Sequence, residues 1–230
     1  MSVVGIIPCF DVENFCADVI EKALQYVDWL VVIDDGSKDK TPIILETLAK
    51  KYSRIKLILC PVNRGKGFVL LEAMQYALEH YSCQVLVTLD SDGQHDPKEI
   101  LGIAQKVKEG ADLVIGERDF KKMPFRNKLA NRFMCGLLKA IHKTVFYDTQ
   151  SGFRGFSQMF ARTVLKEVRG GRYETEMACI VLALQMQKKV DTYPIKTIYI
   201  EKNRHSHFFI ARDSYRILKV ILRYARKKND

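Results

Sequence analysis

Five short apolar runs alternate with amphipathic stretches of helical length, and this alternation constrains the fold more than any other feature of the chain. VVGII, LVVI, IKLIL, VLVTL and DLVI are too short for helices and rich in Val and Ile, so they predict strands at 3–7, 30–33, 55–59, 85–89 and 112–115. Between them, 14–27, 40–52, 66–80 and 97–108 predict helices. Strands separated by helices are joined by crossovers, so the expectation is an α/β fold with a mainly parallel sheet flanked by helices. Ligands of such sheets bind beyond the carboxyl ends of the strands. Polar clusters at 8–13, 34–37 and 90–94 all follow predicted strands and should therefore converge on one face.

At 230 residues the chain fits one domain with an appendage. Its net charge of +10 calls for an anionic partner: nucleic acid, a phosphorylated ligand or an acidic membrane surface. The six cysteines are scattered without a CxxC pair, which argues against a zinc site or a disulfide framework and for reduced thiols. The N-terminus lacks the pattern of a signal peptide, and no apolar run is long enough to span a bilayer. The run 177–186, broken by Gln185, reads as a core helix. These features predict a cytosolic protein and leave a seat on the membrane surface open.

Beyond residue 117 the sequence RDFKKMPFRNKLANRF is strongly basic, and a helix is expected at about 127–143, with Leu129, Phe133, Leu137, Leu138 and Ile141 at helical spacing. A last helix is expected at about 209–227. There Arg212, Arg216, Lys219, Arg223 and Arg226 form a basic stripe beside Tyr215, Leu218, Ile221, Leu222 and Ala225. A helix of this kind lies in the headgroup region of an anionic membrane, or else docks on its own core. The organisation expected is a globular domain over 1–200 and a basic, amphipathic, membrane-associating extension over 201–230.

The stretch LVTLDSDGQHDP ends an apolar strand with Asp90 and Asp92, one residue apart. Two such carboxylates repel each other unless a cation lies between them. Gln94 adds a further oxygen, and a hard oxygen set suits Mg²⁺ or Mn²⁺, which commonly complete their shells with substrate phosphates. The competing reading is a turn capped by aspartates. In VVIDDGSKDKT, Asp34 and Asp35 follow a second strand and can bond a base or ribose, while Ser37 or Asp39 can cap the next helix. NRGKG matches neither a phosphate-loop nor a dinucleotide fingerprint. Lys66 within it is either a ligand contact or a surface lysine at a helix start. Glu174 and Glu176 lie two apart and so do not share a helix face, and neither is assigned as a base. His205 and His207 can touch phosphate, with no third residue to make a metal site.

Taken in order, IIPCFDVEN, VVIDDGSKDKT, NRGKGFVLLEAMQYA, LDSDGQHDP and VIGERDF resemble family 2 glycosyltransferases of the GT-A fold. YDTQSGFRGFS and NRHSHFFIARDSYRI resemble their polyprenyl-phosphate branch, the dolichyl-phosphate mannosyl- and glucosyltransferases and their bacterial undecaprenyl-phosphate relatives. The resemblance implies that Pro8, Phe10, Glu13 and Asp35 line the nucleotide pocket, with Lys66 alongside. It implies that Asp90, Asp92 and Gln94 hold the donor diphosphate through Mg²⁺ or Mn²⁺. The first turn departs from the pattern, with Phe10 for Tyr, Asp11 for Asn and Val12 for the first Glu. Arg118 and Arg126 are the cations expected on the acceptor phosphate, because arginine suits bidentate phosphate contacts. Asp148, Gln150 and Arg154 either close the sugar side or support the loop.

The activity implied is inverting transfer of one sugar to undecaprenyl phosphate at the cytosolic membrane face, serving cell-envelope glycan modification. UDP-glucose or UDP-N-acetylglucosamine is favoured over GDP-mannose, and a small membrane protein is a candidate partner. A soluble relative acting on a saccharide or protein hydroxyl is the alternative. It needs a general base, which an essential carboxylate among Asp148, Glu174 and Glu176 would supply. Nucleic-acid binding would explain the charge, but no recognition module is visible and the acidic pair would repel phosphate.

Overall fold

The alternation of the sequence becomes seven strands and six α-helices described from end to end in a computed structural model. It describes 2–119, 148–172 and 174–198, with 131, 135, 136, 138, 139, 216 and 218–220 besides. In chain order these are β1 (Val3–Cys9), α1 (Cys16–Ala23), β2 (Trp29–Asp34), α2 (Thr41–Lys51), β3 (Ile55–Leu59), α3 (Lys66–His80) and β4 (Val85–Thr88). A 3-10 turn (Pro97–Glu99) leads into α4 (Ile100–Lys108) and β5 (Leu113–Arg118). After them come β6 (Arg154–Ser157), α5 (Gln158–Glu167), α6 (Glu174–Gln185) and β7 (Val190–Ile195).

The strands form one sheet in the order β3-β2-β1-β4-β6-β5-β7. Every neighbouring pair is parallel except those of β6, which runs antiparallel to both β4 and β5. The mainly parallel α/β architecture expected from the sequence is therefore observed. Successive residues of a strand face opposite sides of the sheet, and both sides are covered. Val4, Ile6, Val31 and Ile33 pack under α3, α5 and α6, whereas Val3, Ile7, Leu30 and Val32 pack under α1, α2 and α4. This double burial is why the strands read as unbroken apolar runs.

The differences from the sequence reading have local causes. The helix expected from residue 14 begins at Cys16, because the residues before it form a turn bonded to the 37–41 loop. β6 and β7 were not expected as strands. RGFS carries Arg and Gly, and VDTYPI is a half-buried edge strand whose Pro194 is tolerated there because no further strand among the described residues pairs with it. Ser157 starts α5 by accepting the Phe160 amide at 3.2 Å. Of the helix expected at 127–143, residues 131, 135, 136, 138 and 139 are described and helical. Of that expected at 209–227, residues 216 and 218–220 are described and helical, and Val220 packs against the core beneath α3 and α6. The rest of both helices, Arg126, His205 and His207 lie outside the described residues, as does nearly all of the 201–230 extension.

Phe156 sits 1% exposed on β6, opposite Leu86 of β4 and Leu113 of β5, where it joins the two halves of the sheet. Phe156→Ala is expected to cost about 3–5 kcal/mol in urea unfolding, whereas a loss below about 1 kcal/mol would show that β6 is not part of the cooperative core.

Candidate active site

The carboxyl ends of β1, β2 and β4 deliver three polar turns to one edge of the sheet, and hydrogen bonds lock the first two together. The amides of Asp11, Val12 and Glu13 donate to Ser37 Oγ, Thr41 Oγ1 and Asp39 Oδ2 at 2.9, 2.9 and 3.1 Å. In return the Lys38 amide donates to Asp11 Oδ1 at 2.8 Å and the Lys40 amide to Glu13 Oε2 at 2.9 Å. Asp34 is buried and accepts the Ser37 amide and hydroxyl. Gly36 has φ +73°, and a Cβ there would lie 2.5 Å from the Val62 backbone, so only glycine fits this crossing. The neighbouring Asp35 accepts the amides of Arg64 and Gly65 at 2.7 and 2.9 Å. Burial holds its carboxyl above the usual range even so.

Lys66, the first residue of α3, lies between two carboxylates. Its Nζ is 2.6 Å from Asp90 Oδ1 and 2.7 Å from Glu176 Oε1 of α6. Burial works against the ammonium, but the charges of Asp90 and Glu176 outweigh it and hold its pKa above the ordinary lysine value. Asp90 answers in kind: burial opposes its charge, and Lys66 holds its carboxyl below the usual range. The 148–153 loop seats directly on this pair. A Cβ on Gly152 would fall 2.4 Å from both Asp90 oxygens and 2.6 Å from Lys66 Nζ, and Thr88 Oγ1 donates to the Gly152 carbonyl at 2.7 Å.

Asp92 makes no ion pair among the described residues; its Oδ1 accepts the Gln94 amide at 3.0 Å. Burial and then the charge of Asp90 push its carboxyl up to about 6. The acidic pair is thus short of positive charge. Among the described residues no group of three His, Cys, Asp or Glu side chains is disposed to hold a metal. Two desolvated carboxylates with an amide oxygen donor at Gln94 nevertheless fit a hard divalent cation that takes its remaining ligands from phosphate and water. His95 is buried beside Phe153, its ring pushed down to about 4 by burial and hence neutral, and its Nδ1 has no hydrogen-bond partner among the described residues.

Arg118, at the end of β5, grips Asp148 with two bonds, Nε to Oδ2 at 2.6 Å and Nη2 to Oδ1 at 3.0 Å. Asp148 is fully buried; burial opposes its charge, but Arg118 holds its carboxyl below the usual range. Arg154 is 1% exposed and donates to the carbonyls of Ser151, Thr149 and Glu176, so it braces the loop from within and does not face the cleft.

The structure gathers Lys66, Asp90, Asp92, Gln94, Arg118 and Asp148 around the ends of β4 and β5. Pro8 is the penultimate residue of β1, its carbonyl accepting Ser91 Oγ at 2.8 Å, and Phe10 is half-buried in the turn that follows. Glu13 spends one carboxylate oxygen on the 37–41 loop, and Asp35 is bonded to the 64–65 segment. The sequence offers Glu176 only as one of three candidate bases for a hydroxyl acceptor, not as a partner of Lys66. Glu176 pairs with a lysine 110 residues away, and no local pattern could have announced the pair.

In the metal-free protein the folded state binds Asp92's proton more tightly than the unfolded chain, where the carboxyl has its ordinary value of 3.8. Ionising Asp92 therefore costs stability as pH rises from about 4 to about 6, and the cost is constant above that. Asp92→Asn should melt higher than wild type at neutral pH in chelator, with the advantage gone near pH 4. An advantage independent of pH would place its cause elsewhere.

Residues 5–169 match the Glycosyl transferase family 2 model. The chain is 34% identical over 209 residues to an uncharacterized protein of Methanocaldococcus jannaschii, covering 85% of this chain and 81% of that one. It is 29% identical over 218 residues to the UDP-N-acetylglucosamine–dolichyl-phosphate N-acetylglucosaminyltransferase of Methanococcus voltae, covering 85% of each. Among solved structures, glucosyl-3-phosphoglycerate synthase of Mycobacterium tuberculosis with Mn²⁺, UDP-glucose and phosphoglyceric acid superimposes with a TM-score of 0.72 at 19% identity, over 98% of this chain and 80% of that one. The chain belongs to glycosyl transferase family 2, has the GT-A fold and is a glycosyltransferase.

Proposed function

We propose that this family 2 glycosyltransferase moves one sugar from a nucleotide sugar to a polyprenyl phosphate at a membrane surface, inverting the anomeric carbon. The observation that carries this reading is the state of the carboxylates. A hydroxyl acceptor needs a general base, yet Asp148 is fully buried and held ionised by Arg118, and Glu176 is buried against Lys66. The third candidate, Glu174, folds onto Gly171, where a Cβ would lie 2.5 Å from its Oε1. A phosphate nucleophile is already an anion and needs no base. The relative in Methanococcus voltae is named for such an acceptor, as is a dolichol-phosphate mannosyltransferase of Pyrococcus furiosus, 30% identical over 164 residues, 66% of this chain and 45% of that one.

In this reading the protein supplies alignment and charge. Pro8, Phe10, Glu13 and Asp35 frame the nucleotide. Asp90, Asp92 and Gln94 would hold Mg²⁺ or Mn²⁺, which would supply electrostatic neutralisation of the departing diphosphate. Lys66 adds a second positive charge beside it. Arg118, oriented by Asp148, and Arg126 hold the acceptor phosphate opposite the leaving group. The favoured donor is UDP-glucose or UDP-N-acetylglucosamine. Residues 1–200 form the catalytic unit, and 201–230 lie on the cytosolic face of the membrane, with or without a small membrane protein. No described helix is long and apolar enough to cross a membrane.

The test is a transfer assay with Mn²⁺ or Mg²⁺, undecaprenyl or dolichyl phosphate in detergent, and labelled UDP-glucose, UDP-N-acetylglucosamine or GDP-mannose. One donor should label the organic phase, with loss on chelation and a fall of at least roughly 10²-fold in Asp92→Ala. Label that passes instead to a soluble hydroxyl acceptor would contradict the reading.

A further inference from the structure

The two carboxylates that hold Lys66 differ in what else they can reach. Asp90 ends β4 beside Asp92, with its side chain 24% exposed at the cleft; Glu176 stands in the first turn of α6 with its side chain 6% exposed. The ammonium lies at nearly equal distance from both, 2.6 and 2.7 Å. Gly152 closes one side of the pair, since a Cβ there would strike the Asp90 oxygens and Lys66 Nζ together. Because Lys66 opens α3, its backbone is fixed by the helix and only its side chain can move.

We propose that Lys66 is the resident counter-charge of the acidic pair, which a divalent cation must displace from Asp90, and that Glu176 retains the ammonium when this happens. The inference rests on the reading of Asp90 and Asp92 as cation ligands. A divalent cation arriving alone meets an ammonium already on its carboxylate, and the two positive charges repel. A nucleoside diphosphate brings oxygens that accept both the cation and the freed ammonium. Cation and nucleotide are therefore taken up together, each favouring the other. Glu176 is a positioning residue: with its carboxylate buried against Lys66, it keeps the ammonium beside the diphosphate rather than letting it follow Asp90 or leave for water.

The test measures Mn²⁺ binding to the full chain from the electron paramagnetic resonance signal of the free ion, with and without UDP. Wild type should bind Mn²⁺ weakly alone and on the order of tenfold more tightly with UDP. Lys66→Met should bind Mn²⁺ alone more tightly than wild type and lose most of the effect of UDP. Glu176→Gln removes the carboxylate that competes with Asp90 for Lys66 and should bind Mn²⁺ alone more weakly than wild type. This opposite sign keeps the test decisive even if Lys66→Met does not fold. Intact Mn²⁺ and UDP binding by wild type, with Lys66→Met no tighter or Glu176→Gln unchanged, would overturn the inference and leave the proposed function standing. No Mn²⁺ uptake by wild type even with UDP would remove the cation reading itself, and this inference with it.

Discussion

One ammonium between two carboxylates ties this molecule's chemistry to its fold. Lys66 joins the start of α3 to the end of β4 and to the first turn of α6, and the 148–153 loop can close over the junction only because residue 152 is glycine. Ion pairs this sheltered return little net stability over an apolar replacement, yet removing one partner strands a buried charge at about 3–5 kcal/mol. The arrangement therefore specifies more than it stabilises. It sets where Asp90 points, how far the loop descends and which charges remain for a ligand.

The distribution of charge follows from that junction. Asp90 is satisfied by Lys66, Asp148 by Arg118 and Asp35 by two backbone amides, whereas Asp92 beside them is pushed toward its protonated form. An edge on which burial and Asp90 hold the Asp92 carboxyl above its usual range is suited to capture a cation together with an anion. Asp148 and Glu176, held by Arg118 and Lys66, are poorly suited to deprotonate a hydroxyl. In the proposed reading this partition favours a phosphate acceptor over a hydroxyl.

Much of this was legible in the sequence. Strands buried on both faces announce themselves as unbroken apolar runs, and polar turns at their ends announce the site, so Asp35, Asp90, Asp92 and Gln94 could be found from local pattern. β6 and β7 could not, because RGFS and VDTYPI owe their strand geometry to neighbours rather than to their own composition. Lys66 was ambiguous until its partners were known. The Lys66–Glu176 pair was invisible, since it joins segments 110 residues apart, whereas loop support by Arg154 was one of its two sequence readings and its bonds to Thr149 and Ser151 are of that kind. The spacing argument that Glu174 and Glu176 face different ways holds: one turns to Gly171 and the other to Lys66.

The central claim is that the sugar is joined to a phosphate, and the bond itself is the most direct witness. Phosphorus and proton NMR of the lipid-phase product should show the acceptor's phosphate monoester converted to a phosphodiester coupled to the sugar's anomeric carbon, in the β configuration from an α-linked donor. A lipid phosphate recovered as the unchanged monoester, with the sugar on a hydroxyl elsewhere, would contradict the account.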